Sequence, residues 1–142
     1  MYSPLSLPTR TITFRPDLNV LVVRWHTHAA VEVVQADYAQ MLDAAEASRC
    51  TDWLLDVRRR EAAPAALSAW VSHVFYPGAV ARLSPHRLRM AVLSSPSLTE
   101  LYRTDPEHQK HVAYSTDPAR PYDIRLFDDE GQAMHWLSTR LR

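Results

Sequence analysis

Strands alternating with amphipathic helices predict an α/β domain built on a mostly parallel sheet, and three observations carry that reading. Short apolar runs at 20–25, 52–57 and 87–95 are separated by stretches with helical periodicity, at 29–48 and again after 64. The turn "RPDLN" at 15–19 joins two strands too closely for a crossover, so an antiparallel hairpin heads the sheet. At 142 residues, with 16 basic side chains against 16 acidic ones, the chain has single-domain length. A chain of this size buries about two thirds of its unfolded surface in one core.

Residues 1–10 hold two prolines and no periodicity, and read as a loosely ordered lead-in to a single domain over 11–142. "TITF" at 11–14 alternates polar and apolar residues, as a half-buried strand does. Pro16 presets φ in the following turn, Asp17 and Asn19 supply side-chain turn bonds, and "VLVVRW" at 20–25 has the two-faced apolar character of a central strand. Val31, Val34, Tyr38, Met41, Leu42 and Ala45 recur at three- and four-residue spacing, which makes 29–48 an amphipathic helix. "DWLLDV" at 52–57 is the third strand.

Pro64 suits the first turn of the next helix, whose apolar stripe is Leu67, Trp70, Val71, Val74 and Phe75. Pro77 and Gly78 end or kink it, leaving "AVARL" as a second short segment. "RLRMAVLSS" at 87–95 is the fourth strand, and "PSLTELYR" opens a helix behind Pro96. The polar stretch 104–121, with three prolines, predicts a loop with at most a helical turn and the most mobile segment of the chain. "YDIRLF" alternates as the fifth strand. "DDE" then places acids at a helix N-terminus, and Met134, Leu137 and Leu141 form that helix's buried stripe. The expectation is a five-stranded, mostly parallel sheet with an N-terminal antiparallel hairpin and about four helices.

Composition excludes several function classes. A net charge of zero gives no global field for nucleic acid, so no nucleic-acid partner is expected. The single cysteine, Cys50, cannot close an internal disulfide, and no apolar run approaches the roughly 20 residues of a membrane span. "MYSPLSLPTR" lacks a basic region followed by an apolar stretch, so it does not read as a signal peptide, and a cytoplasmic protein is expected. With only Gly78 and Gly131, neither a P-loop nor a dinucleotide-binding fingerprint can form, and no cofactor is implied.

Ligands of open parallel sheets bind beyond the carboxyl ends of the strands, where Asp56, Arg58, Arg59 and Arg60 should lie. Arginine forks can hold a carboxylate or phosphate bidentately, so this edge is a candidate anion or partner site. The plainer reading is that Arg58 pairs with Asp56 or another acid while Arg59 or Arg60 is solvated. Mutual repulsion of about 0.6 kcal/mol per pair at roughly 7 Å in water is too small to demand a function. Ser94 and Ser95, at the end of the fourth strand, are counted with this edge as binding residues; they lack the Gly-x-Ser-x-Gly turn of a serine nucleophile.

His26 and His28 have a His-x-His spacing that puts both rings on one side of an extended chain, which makes them weak metal candidates, but no third ligand is defined. His108 and His111 stand near Asp105 and Glu107 and could supply a general base, again without an identifiable nucleophile. Trp25, Trp53, Trp70 and Trp136 fall on apolar positions and read as core, and Cys50 beside Arg49 reads as a structural thiol. Thr11, Thr13, Arg87, Arg89 and Arg125 alternate with apolar residues, which points to an incompletely covered sheet face and a candidate partner surface.

The element order, with "DWLLDVRRR" on the third strand and "YDIRLFDDEGQAMHWL" closing the chain, resembles STAS and SpoIIAA-like domains, and more narrowly small stand-alone bacterial STAS/SEC14-like proteins. The resemblance covers roughly residues 11–139 and implies fold more strongly than role. In anti-sigma-factor antagonists of that superfamily a regulatory serine opens the helix after the third strand. Here Asp56 matches the acid ending that strand, but Arg58, Arg59 and Arg60 follow and the next serine is Ser68, inside the helix. The resemblance therefore implies a non-enzymatic regulatory or protein-interaction domain that binds a protein partner, or itself as a homodimer, through the arginine edge. The alternative is a binder of a small anionic ligand or a lipid or acyl group. A hydrolytic or metal-dependent enzyme would rest on the histidines alone.

Overall fold

The computed structural model describes residues 5–6, 10–27, 30–60 and 65–139. Six strands lie side by side in sequence order: Leu5–Ser6 (β1), Arg10–Arg15 (β2), Val20–Trp25 (β3), Asp52–Asp56 (β4), Leu88–Leu93 (β5) and Tyr122–Phe127 (β6). β1, β2 and β3 pair antiparallel and β3 to β6 pair parallel, so the chain is α/β with a mixed sheet, as the patterning implied. The sixth strand comes from the lead-in, where Leu5 and Ser6 extend the sheet edge and Arg10 already opens β2. Asn19, with φ of 53°, supplies the left-handed residue that turns β2 into β3.

The helices are Val31–Ser48 (α1), Ala65–Trp70 (α2), Tyr76–Leu83 (α3), Pro96–Thr104 (α4), Pro106–Thr116 (α5) and Glu130–Ser138 (α6). Parallel strands taken in sequence order, joined by crossovers of one hand, place every crossover helix on the same face. Two cores result. Ile12, Leu21, Val23, Trp25, Trp53, Leu55 and Met90 pack on the first face against Tyr38 and Met41 of α1, Leu67, Phe75, Ala79 of α3 and Leu98 of α4. Val20, Val22, Leu54, Ala91 and Leu93 point to the second face, where Ala133 and Leu137 of α6 cover them. Register settles where the alternating polar residues point. Thr13, Val22, Leu54, Ala91 and Arg125 form one row, Thr11 shares a row with Arg24 and Asp56, and Arg89 lies beside Asp123, so all four belong to the α6 face.

Two segments differ from expectation. Residues 106–116 are helical rather than a loop. Asp105 accepts from the His108 backbone N–H at 3.1 Å, Pro106 takes a first-turn position where its missing N–H costs nothing, and Glu107 faces the positive helix end. The other two prolines of the stretch, Pro118 and Pro121, lie beyond its C-terminus. No residue of α5 is fully buried, so the apolar stripe that marks a helix in sequence is missing.

The second difference is Val74, assigned to a buried stripe but 57% exposed. Between α2 and α3 the chain makes a π-helical turn over Val71–Phe75, in which the Tyr76 N–H donates to the Val71 carbonyl. Widening the helix there relieves the clash of the Pro77 ring with the carbonyl four residues back, so the proline neither ends the helical run nor breaks it. The inserted residue rotates Val74 outward while Phe75 stays buried. Val74→Ser is accordingly expected to change unfolding free energy by less than about 0.5 kcal/mol, against a loss of about 3 kcal/mol or more for Phe75→Ala, both measured by urea denaturation.

Candidate functional site

Asp56 ends β4 buried, with its side chain 8% exposed, and is the centre of an ion network. Arg58 donates to both its oxygens, Nε to Oδ1 at 3.0 Å and Nη2 to Oδ2 at 2.8 Å, and the Arg58 backbone N–H adds a bond at 3.1 Å. Arg24, opposite Asp56 in register, donates to it at 2.9 Å and forks onto both Glu130 oxygens at 2.8 and 2.9 Å. Burial by itself would raise the Asp56 carboxyl, but the bonds from Arg58 and Arg24 outweigh it and hold the group below its ordinary value. Arg24, through its hydrogen bonds, holds Glu130 low as well.

This network fastens α6, whose first residue is Glu130, to the ends of β3 and β4. At the other end of α6, the buried Arg89 donates to the Trp136 and Leu137 carbonyls at 2.8 and 3.2 Å, where a cation suits the negative helix terminus. Its guanidinium also lies 4.4 Å from the Trp136 ring centroid. Arginines thus pin both ends of the helix that covers the second face. Arg87 forks onto Asp123, and Arg125 stays exposed above Phe127.

The three consecutive arginines therefore divide. Arg58 is engaged with Asp56, and Arg59 is exposed to solvent. Arg60 turns the other way, its guanidinium 5.0 Å from the Trp25 ring centroid, and lines a cleft on the crossover-helix face. That cleft has a volume of about 140 Å³. Its floor is the carboxyl half of the parallel strands, Leu55, Val57, Val92, Ile124 and Leu126. Leu67, Val71 and Ser72 wall it on one side and Tyr102, His108 and Val112 on the other, with Tyr38 and Tyr76 adding aromatic surface. The π-helical turn supplies Val71 and Ser72, and the buried Ser72 hydroxyl lies 3.3 Å from that of Ser115 on α5. Among the described residues Arg60 enters no ion pair, so its cation is available within an apolar concavity.

Ser94 and Ser95 act in the fold. The Ser94 hydroxyl is buried 2.8 Å from that of Thr99, and Ser95 caps α4 by accepting from the Leu98 N–H at 3.2 Å. Ser95→Ala is expected to cost about 1 kcal/mol in thermal or urea unfolding, with no change in ligand binding. His26 is exposed, with Nε2 2.6 Å from Thr11 Oγ1, while His28 lies outside the described residues. Among the described residues no three metal-ligating side chains converge. Trp25 and Trp53 are buried core, Trp70 and Trp136 are half-buried, and the Cys50 thiol is buried against the Asn19 and Asp52 carbonyls at 3.3 Å. No helix is long and apolar enough among the described residues to cross a membrane.

Sequence reasoning missed Arg24, Glu130 and the α5 wall of the cleft. Arg24 was legible as a lone charge in an otherwise apolar strand, a placement that asks for an acidic partner in the neighbouring strand. The α5 wall was legible in Asp105-Pro106-Glu107, a helix-start signature read as loop punctuation. No protein-family model, curated protein or solved structure matches the chain.

Proposed function

We propose that this chain is a non-enzymatic, STAS/SpoIIAA-like binding domain whose cleft takes a small apolar carboxylate. The observation that carries the reading is the cleft itself, an apolar concavity at the carboxyl ends of β4 to β6 with the Arg60 guanidinium in its wall. Beyond strand ends is where open parallel sheets bind ligands, and a cation with apolar surroundings binds an anion with an apolar body. Size narrows the class. At about 140 Å³ the cleft is below the roughly 300–1,000 Å³ of drug-sized pockets and close to the roughly 150 Å³ that holds one benzene ring. A monocyclic aromatic acid or a short acyl acid fits, and a two-chain lipid does not.

The singly wound element order supports the STAS-like comparison. Where phosphoswitch relatives carry a regulatory serine after the third strand, this chain has Arg58 fixed on Asp56 and Arg60 in the cleft wall. A protein partner at the arginine edge would have Arg59 as its contact, since Arg58 is engaged internally. Calorimetric titration with benzoate and hexanoate tests the ligand reading. Binding at roughly millimolar Kd or tighter is expected, weakened about tenfold or more by Arg60→Met and unchanged by Arg59→Ala. Equal binding by the Arg60→Met protein would remove the cleft as the anion site.

A further inference from the structure

We propose that a second copy of this chain adds to β6, antiparallel and centred on Ile124, so that two sheets join into one across a twofold axis. The inference goes beyond the ligand reading and does not depend on it.

β6 closes one side of the sheet, and among the described residues only β5 pairs with it. Register and one hydrogen bond show which of its backbone groups are spent. The Phe127 carbonyl accepts at 2.9 Å from the N–H of Ser94, just past β5, so alternation turns the amides and carbonyls of Asp123 and Arg125 toward β5 and those of Tyr122, Ile124 and Leu126 outward. Arg87 reaches the Tyr122 carbonyl at 3.3 Å, while the outward groups of Ile124 and Leu126 meet no partner among the described residues. Exposed sheet edges are ordinarily blunted by proline, lysine or a bulge. Tyr122–Phe127 contains neither proline nor lysine, and its register with β5 runs without a bulge.

The side chains select the occupant. About a twofold axis at Ile124, Tyr122 faces Leu126 of the other copy and Asp123 faces Arg125 of the other copy. The outward groups then meet as an antiparallel ladder requires: Ile124 exchanges both backbone bonds with its twin, and Tyr122 does the same with Leu126. Asp123 and Arg125 fall on the intervening positions, where facing side chains approach most closely, and symmetry makes that contact twice. Arg125 is exposed and enters no ion pair among the described residues. Asp123 holds Arg87 yet is 42% exposed, and its two oxygens can accept from a second arginine. Moving the axis to residue 123 or 125 would set Asp123 against Asp123 or Arg125 against Arg125. Charge therefore fixes the register as well as the partner.

Sedimentation equilibrium of the full chain tests this. A monomer–dimer equilibrium with a Kd of roughly 100 µM or tighter is expected, weak because an edge pairing buries less than a standard interface. Arg125→Asp sets like charges opposite one another twice and is expected to weaken the dimer about tenfold or more, as is Asp123→Arg. An equimolar mixture of those two proteins restores opposite charges at both positions and is expected to dimerise where neither does alone. A wild-type chain still monomeric at about 500 µM, a dimer indifferent to Arg125→Asp, or a mixture no more associated than its components would each overturn the inference. Should Asp123→Arg fail to fold, amide hydrogen exchange of the wild type decides. Ile124 and Leu126 are expected to exchange more slowly at about 500 µM than at about 5 µM, and equal rates overturn the inference.

Discussion

Replacing Asp37 by alanine is expected to lower the unfolding free energy by about 4 kcal/mol, among the largest single-residue effects in this chain. The Asp37 carboxylate on α1 meets Arg10 of β2 at 2.6 Å, with the two side chains only 3% and 5% exposed. It also accepts from the Trp25 indole N–H at 3.1 Å, and Arg10 donates further to Gln40. Removing the carboxylate leaves a guanidinium charge and an indole N–H buried at the junction of α1 with the β2–β3 hairpin. Neither can reach water without opening that packing, and Gln40, a neutral acceptor, does not replace the carboxylate's charge for Arg10. The double replacement Arg10→Met with Asp37→Leu is expected to recover most of the loss, because a buried ion pair costs most when broken on one side. Urea denaturation of the two proteins measures both effects; a loss below about 1 kcal/mol for Asp37→Ala would show that the pair does not hold the hairpin to α1.

Asp56→Ala is expected to cost about 3 kcal/mol. This is less than for Asp37, because Arg24 and Arg58 are 37% and 43% exposed and can turn to solvent or keep Glu130 once their buried acceptor is gone. The effect has a pH signature. Both carboxylates are held below their ordinary values in the folded protein, so they bind fewer protons folded than unfolded. Their contribution is present in full above the unfolded carboxylate range and falls away from about pH 4 downward, as each is forced to protonate. The stability difference between wild type and Asp56→Ala is therefore expected to shrink as pH falls below about 4. A difference that is constant from neutral pH to about pH 2 would mean that Asp56 acts by packing rather than charge.

Much of the fold was legible because its signals are local. β-branched runs, the Asp17–Asn19 turn and the 29–48 periodicity each set one element, and their alternation sets a sheet of one connection type. What was lost depended on non-local partners. Val74 fits an apolar stripe until Pro77 forces a wider turn that shifts the helix register beneath it. No residue of α5 is fully buried and its inward positions are mostly polar, so its capping residues were the clearest sign of it. The arginine edge showed the same limit. Three adjacent identical side chains meet a carboxylate, open solvent and an aromatic-walled cleft, because a turn closed by the Arg60 N–H on the Val57 carbonyl aims them in different directions. Sequence located that edge at the carboxyl ends of the strands; only the arrangement of Arg24, Glu130 and α5 around it separates the structural arginine from the one that faces the cleft.

The most direct test of the cleft is a backbone ¹H–¹⁵N NMR titration of the whole chain with benzoate. Saturable shifts at Arg60, Leu55, Val71, Tyr102 and His108, with Arg59 unmoved, are the expected result. Shifts centred on Arg59 and its exposed neighbour Arg58, or none at all, would contradict a carboxylate site in the cleft.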